Sequence, residues 1–367
     1  MKNNIVVFLL FLTMPSLAQV VGGENAFEFL RLSQSPHISA LGGISVINPS
    51  ADASMVNANP ALLRPEFHTT LSLNYNYYYS KTRVTNLNYS YHSNTLNTTF
   101  GVGLQYLDYG SFSITDQVGY GQGSFRAADY AIHVSASRSY LEKWRYGATL
   151  KYAHSSLLEK KSSALLADIG VVYADTTSQW YLGAAIKNAG VSLKNYDPSI
   201  KQSLPLDFQI GITKKFKKAP FSIMVLAHRL NQWNIRYDNP ADRVDNELLF
   251  DNTTTDTKEK TYFADKLFRH FVFALDVNLG KRLEISAGYN HLRRSELSIT
   301  DKKGMSGFSF GAGMYLNKFV LHYAQSHFHL AGAYHELGIN IKLNQLFGLG
   351  TAGQKINWSE KFAKSYR

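Results

Sequence analysis

The chain has no cysteine, which excludes a disulfide framework, a cysteine-rich zinc site and a thiol nucleophile. Charge is also scarce: Asp, Glu, Lys and Arg make up 18% of 367 residues, unusual for a soluble enzyme. Long apolar runs are missing as well. Ile5 to Leu12 is only eight residues, against the roughly 20 that a membrane helix needs. Any membrane role must therefore rest on strands.

That short run reads instead as the core of a signal peptide over residues 1–18. Lys2 precedes it, and Ser16-Leu17-Ala18 suits cleavage before Gln19. Without a cysteine beyond that point, a lipoprotein anchor is not expected. Aromatics are plentiful, with 23 Tyr and 22 Phe, as the interfacial girdles of a membrane barrel would require. A soluble β-sandwich would favour them too. The net charge of +11 is scattered through the chain and its tail. A nucleic-acid partner is therefore not expected. Acidic lipopolysaccharide and lipid phosphates are the surfaces such a charge would meet.

Fourteen stretches alternate apolar and polar residues: 67–79, 83–92, 96–107, 127–140, 144–155, 162–173, 178–187, 204–215, 219–230, 268–279, 282–293, 305–316, 319–327 and 334–345. Side chains alternate faces along a strand, so each reads as a strand with one greasy and one wet side. Phe271, Phe273, Leu275, Val277 and Leu279 share one face, opposite His270, Asp276 and Asn278. Likewise Leu337, Ile339, Ile341 and Leu343 oppose Glu336, Asn340, Lys342 and Asn344. Most runs match the roughly 9–11 residues of a tilted membrane strand.

Spacers after even-numbered strands have 3, 3, 4, 3, 2 and 2 residues, and those after odd-numbered strands 3, 19, 6, 16, 37, 11 and 6. This parity matches short periplasmic turns alternating with longer extracellular loops, and places both barrel ends in the periplasm. The last strand is expected to continue to Leu346-Phe347. Beyond it, residues 348–367 form a tail in which Trp358, Phe362 and Tyr366 could share a helix face. Residues 19–66 are rich in Gly and Ala and lack alternation. They suit a plug whose small residues let its backbone approach the barrel wall.

The residues of this segment carry a resemblance. Ala40-Leu41-Gly42-Gly43, Ala51-Asp52-Ala53-Ser54 and Asn57-Ala58-Asn59-Pro60-Ala61-Leu62 resemble the N-terminal hatch of FadL-like outer-membrane barrels. In that superfamily an Asn-Pro-Ala motif precedes fourteen strands. Asn57, Asn59, Pro60 and Ala61 are accordingly expected to be structural hatch residues. Gly22 to Leu32 and Ser35 to Gly43 are similar to the mature N-terminus of the PorQ-like barrels of the type IX secretion system. That likeness implies an attachment complex with proteins resembling PorV, PorU and PorZ. There the barrel docks partners while cargo is joined to lipopolysaccharide.

Catalytic, cofactor and metal residues are not expected. Adjacent His92 and Ser93 point to opposite faces and make a poor base–nucleophile pair. His322, His327, His329 and His335 lack a third metal ligand at a recognisable spacing and read as interfacial or loop residues. Gly348 to Gly353 matches a dinucleotide fingerprint with too little chain after it. The segment 231–267 holds eight acids against five bases and reads as an extracellular docking loop. The sequence thus implies an all-β protein: a transmembrane antiparallel barrel of fourteen strands with an N-terminal hatch. The expected function is non-enzymatic docking, with a channel for hydrophobic small molecules as the alternative and a soluble periplasmic β-protein as a third class.

Overall fold

The computed structural model describes residues 25–48, 52–200, 202–235, 263–296, 304–329 and 332–347. The expected signal peptide, Gly22 to Glu24, most of the acidic loop, the Gly348–Gly353 match and the tail lie outside them. Among the described residues no helix is long and apolar enough to cross a membrane.

Fourteen strands form the wall: β1 (Thr70–Tyr77), β2 (Arg83–Ser93), β3 (Thr98–Thr115), β4 (Gly121–Tyr140), β5 (Trp144–Leu157), β6 (Lys160–Asp175), β7 (Trp180–Lys194), β8 (Asp207–Lys215), β9 (Phe221–Ala227), β10 (Phe271–Leu279), β11 (Leu283–Asn290), β12 (Phe308–Tyr315), β13 (Phe319–His329) and β14 (Gly332–Lys342). Each pairs antiparallel with its sequence neighbour. β1 meets β14 from Thr70↔Lys342 to Tyr77↔His335, which closes the barrel. Closure leaves no sheet edge, so every wall amide can bond within the protein, as a bilayer demands.

The burial pattern is inside-out. Val134, Ile169 and Leu337 are 56%, 62% and 61% exposed, whereas inward Ser135, Asp168 and Glu336 are 1%, 1% and 2% exposed. A charge on the outer face would cost about 2–4 kcal/mol at mid-bilayer, so the charged phase turns inward. Rings collect at the short-turn end. Trp144 packs on Tyr173 with centroids 4.9 Å apart, Phe216 on Phe221 at 4.7 Å, and Lys214 Nζ lies 4.5 Å over Trp180. These are the aromatic girdle and snorkelling cation of a membrane interface. The soluble sandwich is thereby excluded.

Three local expectations need correction. The 19-residue spacer after β3 is mostly strand: β3 and β4 run on to Thr115 and from Gly121, past a register shift at Asp108–Ser111. Loop parity there recorded protruding hairpin arms rather than irregular loop. Residues 291–293 leave β11 and begin helix α2 (His291–Glu296). Leu343–Phe347, expected to continue the last strand, forms a short helix α3.

Candidate functional site

The lumen holds the site, because the chain before β1 fills it. Ala26 N donates to Ser203 O at 2.9 Å, which ties the hatch to the β7–β8 connection at the long-loop end. From there it descends through a 3-10 turn (Glu28–Arg31), helix α1 (Pro36–Ala40) and three further 3-10 turns, Ala53–Asn57, Pro60–Leu62 and Pro65–Phe67, to the start of β1. Sequence sets the later turns. Ser35 caps α1 by accepting His37 N at 3.2 Å, Asp52 Oδ1 accepts Ser54 N at 2.9 Å, and Asn59 Oδ1 accepts Ala61 N at 2.9 Å. Pro36, Pro60 and Pro65 occupy first-turn positions, where the missing N–H costs nothing.

Asn59 does more than cap. Its Nδ2 donates to Val46 O at 2.9 Å and approaches Ala184 O at 3.4 Å on the wall. Asn57 Nδ2 donates to Asn88 Oδ1 at 3.1 Å, and Lys187 Nζ donates to Asn57 O at 2.8 Å. Ala61 is fully buried, and Pro60 and Ala61 lie against β5. All four motif residues therefore bind hatch to wall or cap its turns.

Close approach depends on glycines of the wall as much as on small residues of the hatch. A Cβ on Gly147 would sit 2.6 Å from the Pro60 carbonyl carbon, and one on Gly170 would collide with Asn59 Oδ1. Gly183, Gly211, Gly288, Gly311 and Gly338 face hatch atoms in the same way. Apolar packing adds to this seat: Ile38, Val46, Ile47, Met55 and Leu62 share a buried cluster with Val172, Tyr181, Leu226 and Val272.

The rest of the seam is polar and buried. His37 Nδ1 lies 3.1 Å from Glu284 Oε1, and Tyr315 donates to Glu284 Oε2 at 2.9 Å. Asn48 Nδ2 sits 3.0 Å from His37 Nε2 and donates to Asp276 Oδ2 at 2.9 Å, while Ser286 donates to Oδ1 at 2.6 Å. Glu336 accepts from Ser39 and Asn76, both at 2.6 Å, and Asp52 accepts from Asn340 at 3.1 Å. Burial opposes a charge on His37, but the Glu284 charge and hydrogen bond, with Asp276 and Asp52, outweigh it and raise the imidazole to about 9. Ligand atoms of His37, Asp276 and Glu284 lie within 4.8 Å of one another, and the protonated His37 is itself the cation between the two carboxylates. Sequence spacing gave no hint of this trio, since His37 comes from the hatch and the acids from β10 and β11.

A second latch follows from a bulge. The β6–β7 register shifts between Ala167 and Ile169, with Asn188 at φ 58°. Lys187 and Asn188 consequently both reach polar lumen partners. Lys151 pairs with Asp168 and donates to Asn188 Oδ1 at 3.0 Å, while Asn188 N donates to Asp168 Oδ1 at 2.7 Å. Strict alternation could not have foreseen two neighbouring residues turned inward.

The histidines disperse. His322 is buried in the lumen with its ring 5.4 Å from that of His37, which corrects its reading as interfacial. His335 stacks on Tyr323 outside the barrel. His92 Nδ1 contacts Thr99 Oγ1 at 2.9 Å, and Ser93 Oγ accepts from Leu96 N at 3.4 Å in the following turn. They do not form a base–nucleophile pair. Above the hatch, toward the long-loop end, a cavity of about 380 Å³ remains.

No family model matches the chain, and no curated protein does. Solved structures do. A CymD monoaromatic hydrocarbon channel aligns with TM-score 0.50 and 13% identity, over 86% of this chain and 97% of that one. A TodX monoaromatic hydrocarbon channel mutant gives TM-score 0.48 and 12% identity, over 83% and 96%. A Pseudomonas aeruginosa FadL homologue gives 0.42 and 11%, over 84% and 98%. The chain thus shares the fold of the CymD channel.

Proposed function

We propose that this chain is an exported, non-enzymatic outer-membrane barrel whose hatch-filled lumen serves as scaffold, docking partner proteins for surface attachment of secreted cargo. The observation that carries it is the hatch. It runs from Ser203 at one end of the lumen to β1 at the other, held by the buried His37–Glu284 ion pair and by hydrogen bonds of Asn57 and Lys187. Such a filling favours rigidity over passage. The attachment role itself draws on the resemblance of residues 22–63 to type IX secretion barrels, with partners resembling PorV, PorU and PorZ. The protruding β3–β4 arm offers them a surface: Val118 and Tyr120 at its tip are 80% and 73% exposed. Purification in mild detergent tests this reading, which expects secretion-system proteins to co-purify. It is wrong if none does and deletion leaves cargo anchored at the surface.

A second reading is a channel for hydrophobic small molecules, and it is the one the solved structures favour. CymD is a monoaromatic hydrocarbon channel of the same fold. Tight, saturable binding of a monoaromatic compound or fatty acid to the purified barrel would decide for it.

A further inference from the structure

The cavity above the hatch lies between the hatch and the long-loop ends of β7, β8, β11 and β13. At about 380 Å³ it falls within the ~300–1,000 Å³ of small-molecule sites. Cations outnumber acids on its wall: Arg31, Lys187, Arg229 and Arg293 against Glu28, Asp207 and Glu296. Part of this charge is already matched. Arg31 Nε lies 3.1 Å from Glu28 Oε2, and Lys187 Nζ donates to Asn57 O at 2.8 Å.

What remains is a set of buried polar groups without partners. Arg31 Nη1 and Arg293 Nη1 are sealed from solvent without a hydrogen-bond partner, and neither ring nitrogen of His228 has one. Among the described residues no carboxylate lies within ion-pair distance of Arg293. Its guanidinium stands 3.3 Å over the Phe328 ring, a contact that holds the group in place, and Glu336 acts on its charge only from beyond ion-pair distance. His228 is held well below its ordinary value by burial, then by Arg229, His270, Arg293 and Arg31, so the cations converge on it. A buried charge left unpaired is expensive, and proteins normally satisfy it with a partner.

We propose that this cavity is a binding site for a small polar anion, a carboxylate or a phosphate, held by Arg31 and Arg293 with His228 beside them. Gln34, Asn57, Asn188 and Gln209 line the same space; their amide nitrogens already donate within the protein, while Gln34 Oε1 and Gln209 Oε1 stay unpaired and suit a ligand that also carries a hydroxyl. A fork of guanidinium donors matches either anion, because both present paired oxygens. The proposal stands apart from the docking reading, which needs no lumen ligand.

The test uses the full barrel in detergent micelles, titrated calorimetrically with inorganic phosphate and with citrate at constant ionic strength. Saturable binding is expected, at least tenfold weaker in Arg293→Gln and in Arg31→Gln and unchanged in the exposed control Lys281→Gln. Each variant is first checked for heat-modifiable migration. Where Arg293→Gln fails to fold, Arg293→Lys and Arg31→Gln give the reading, the lysine variant binding more weakly than the parent. Binding indistinguishable from that of chloride overturns the proposal. So do Arg31 and Arg293 variants that bind like the parent, and a barrel that binds a long-chain acid but neither small anion.

Discussion

His37 couples hatch to wall through a charge that pH can remove. Its folded value of about 9 stands above the 6.5 of an unfolded chain. The stability it contributes is therefore complete below pH 6.5 and is lost as pH rises through about 9. Thermal unfolding of the barrel in detergent should fall across that window. Glu284→Gln should flatten the fall and lower stability by about 3–5 kcal/mol, as removal of one partner from a buried pair does. A melting curve independent of pH from 6 to 10 would contradict the assignment. Asn59→Ala should cost about 1–3 kcal/mol, because it removes a cap and leaves the Val46 carbonyl unpaired. Limited proteolysis of the hatch measures that loss. Of these contacts the sequence revealed only the motif. Asn59-Pro60-Ala61 stood out by its place before β1, whereas His37, Asp276 and Glu284 meet only once the barrel closes.

At the scale of elements, alternation was a faithful guide because lipid enforces it. Each of the fourteen expected strands has its counterpart, and inward Asp276, Glu284 and Glu336 lie on the phase their patterns required. The pattern failed where lipid stops acting. Beyond the membrane, β3 and β4 continue as an arm that alternation did not mark, and α2 and α3 replace the expected strand ends. Val134→Arg, on the outer face of β4, should cost about 2–4 kcal/mol of folding free energy into bilayers. Truncating the arm between residues 110 and 126 should leave the barrel heat-modifiable and correctly folded while weakening partner binding. Recovery of undiminished complex from that truncation would place the docking surface elsewhere. Wall glycines set a third element-scale constraint. Gly147→Val should unseat the Pro60–Leu62 turn, since even a Cβ would lie 2.6 Å from the Pro60 carbonyl carbon. Increased protease sensitivity of residues 52–66 in an otherwise folded barrel reads that outcome.

For the whole molecule, fold and function rest on different parts of the chain. The strands specify a membrane barrel of a kind that CymD also adopts, and a shared barrel does not by itself fix a task. In this chain a hatch is fastened along the lumen from Ser203 to β1. A lumen so filled suits an anchor that presents loops and arms to partners. The most direct measurement is retention of secreted cargo on the surface of a deletion strain, with uptake of a monoaromatic compound scored in parallel. The account predicts cargo released to the medium, restored by the intact gene, with uptake unchanged. Cargo that stays anchored while uptake falls would contradict it and make the barrel a channel.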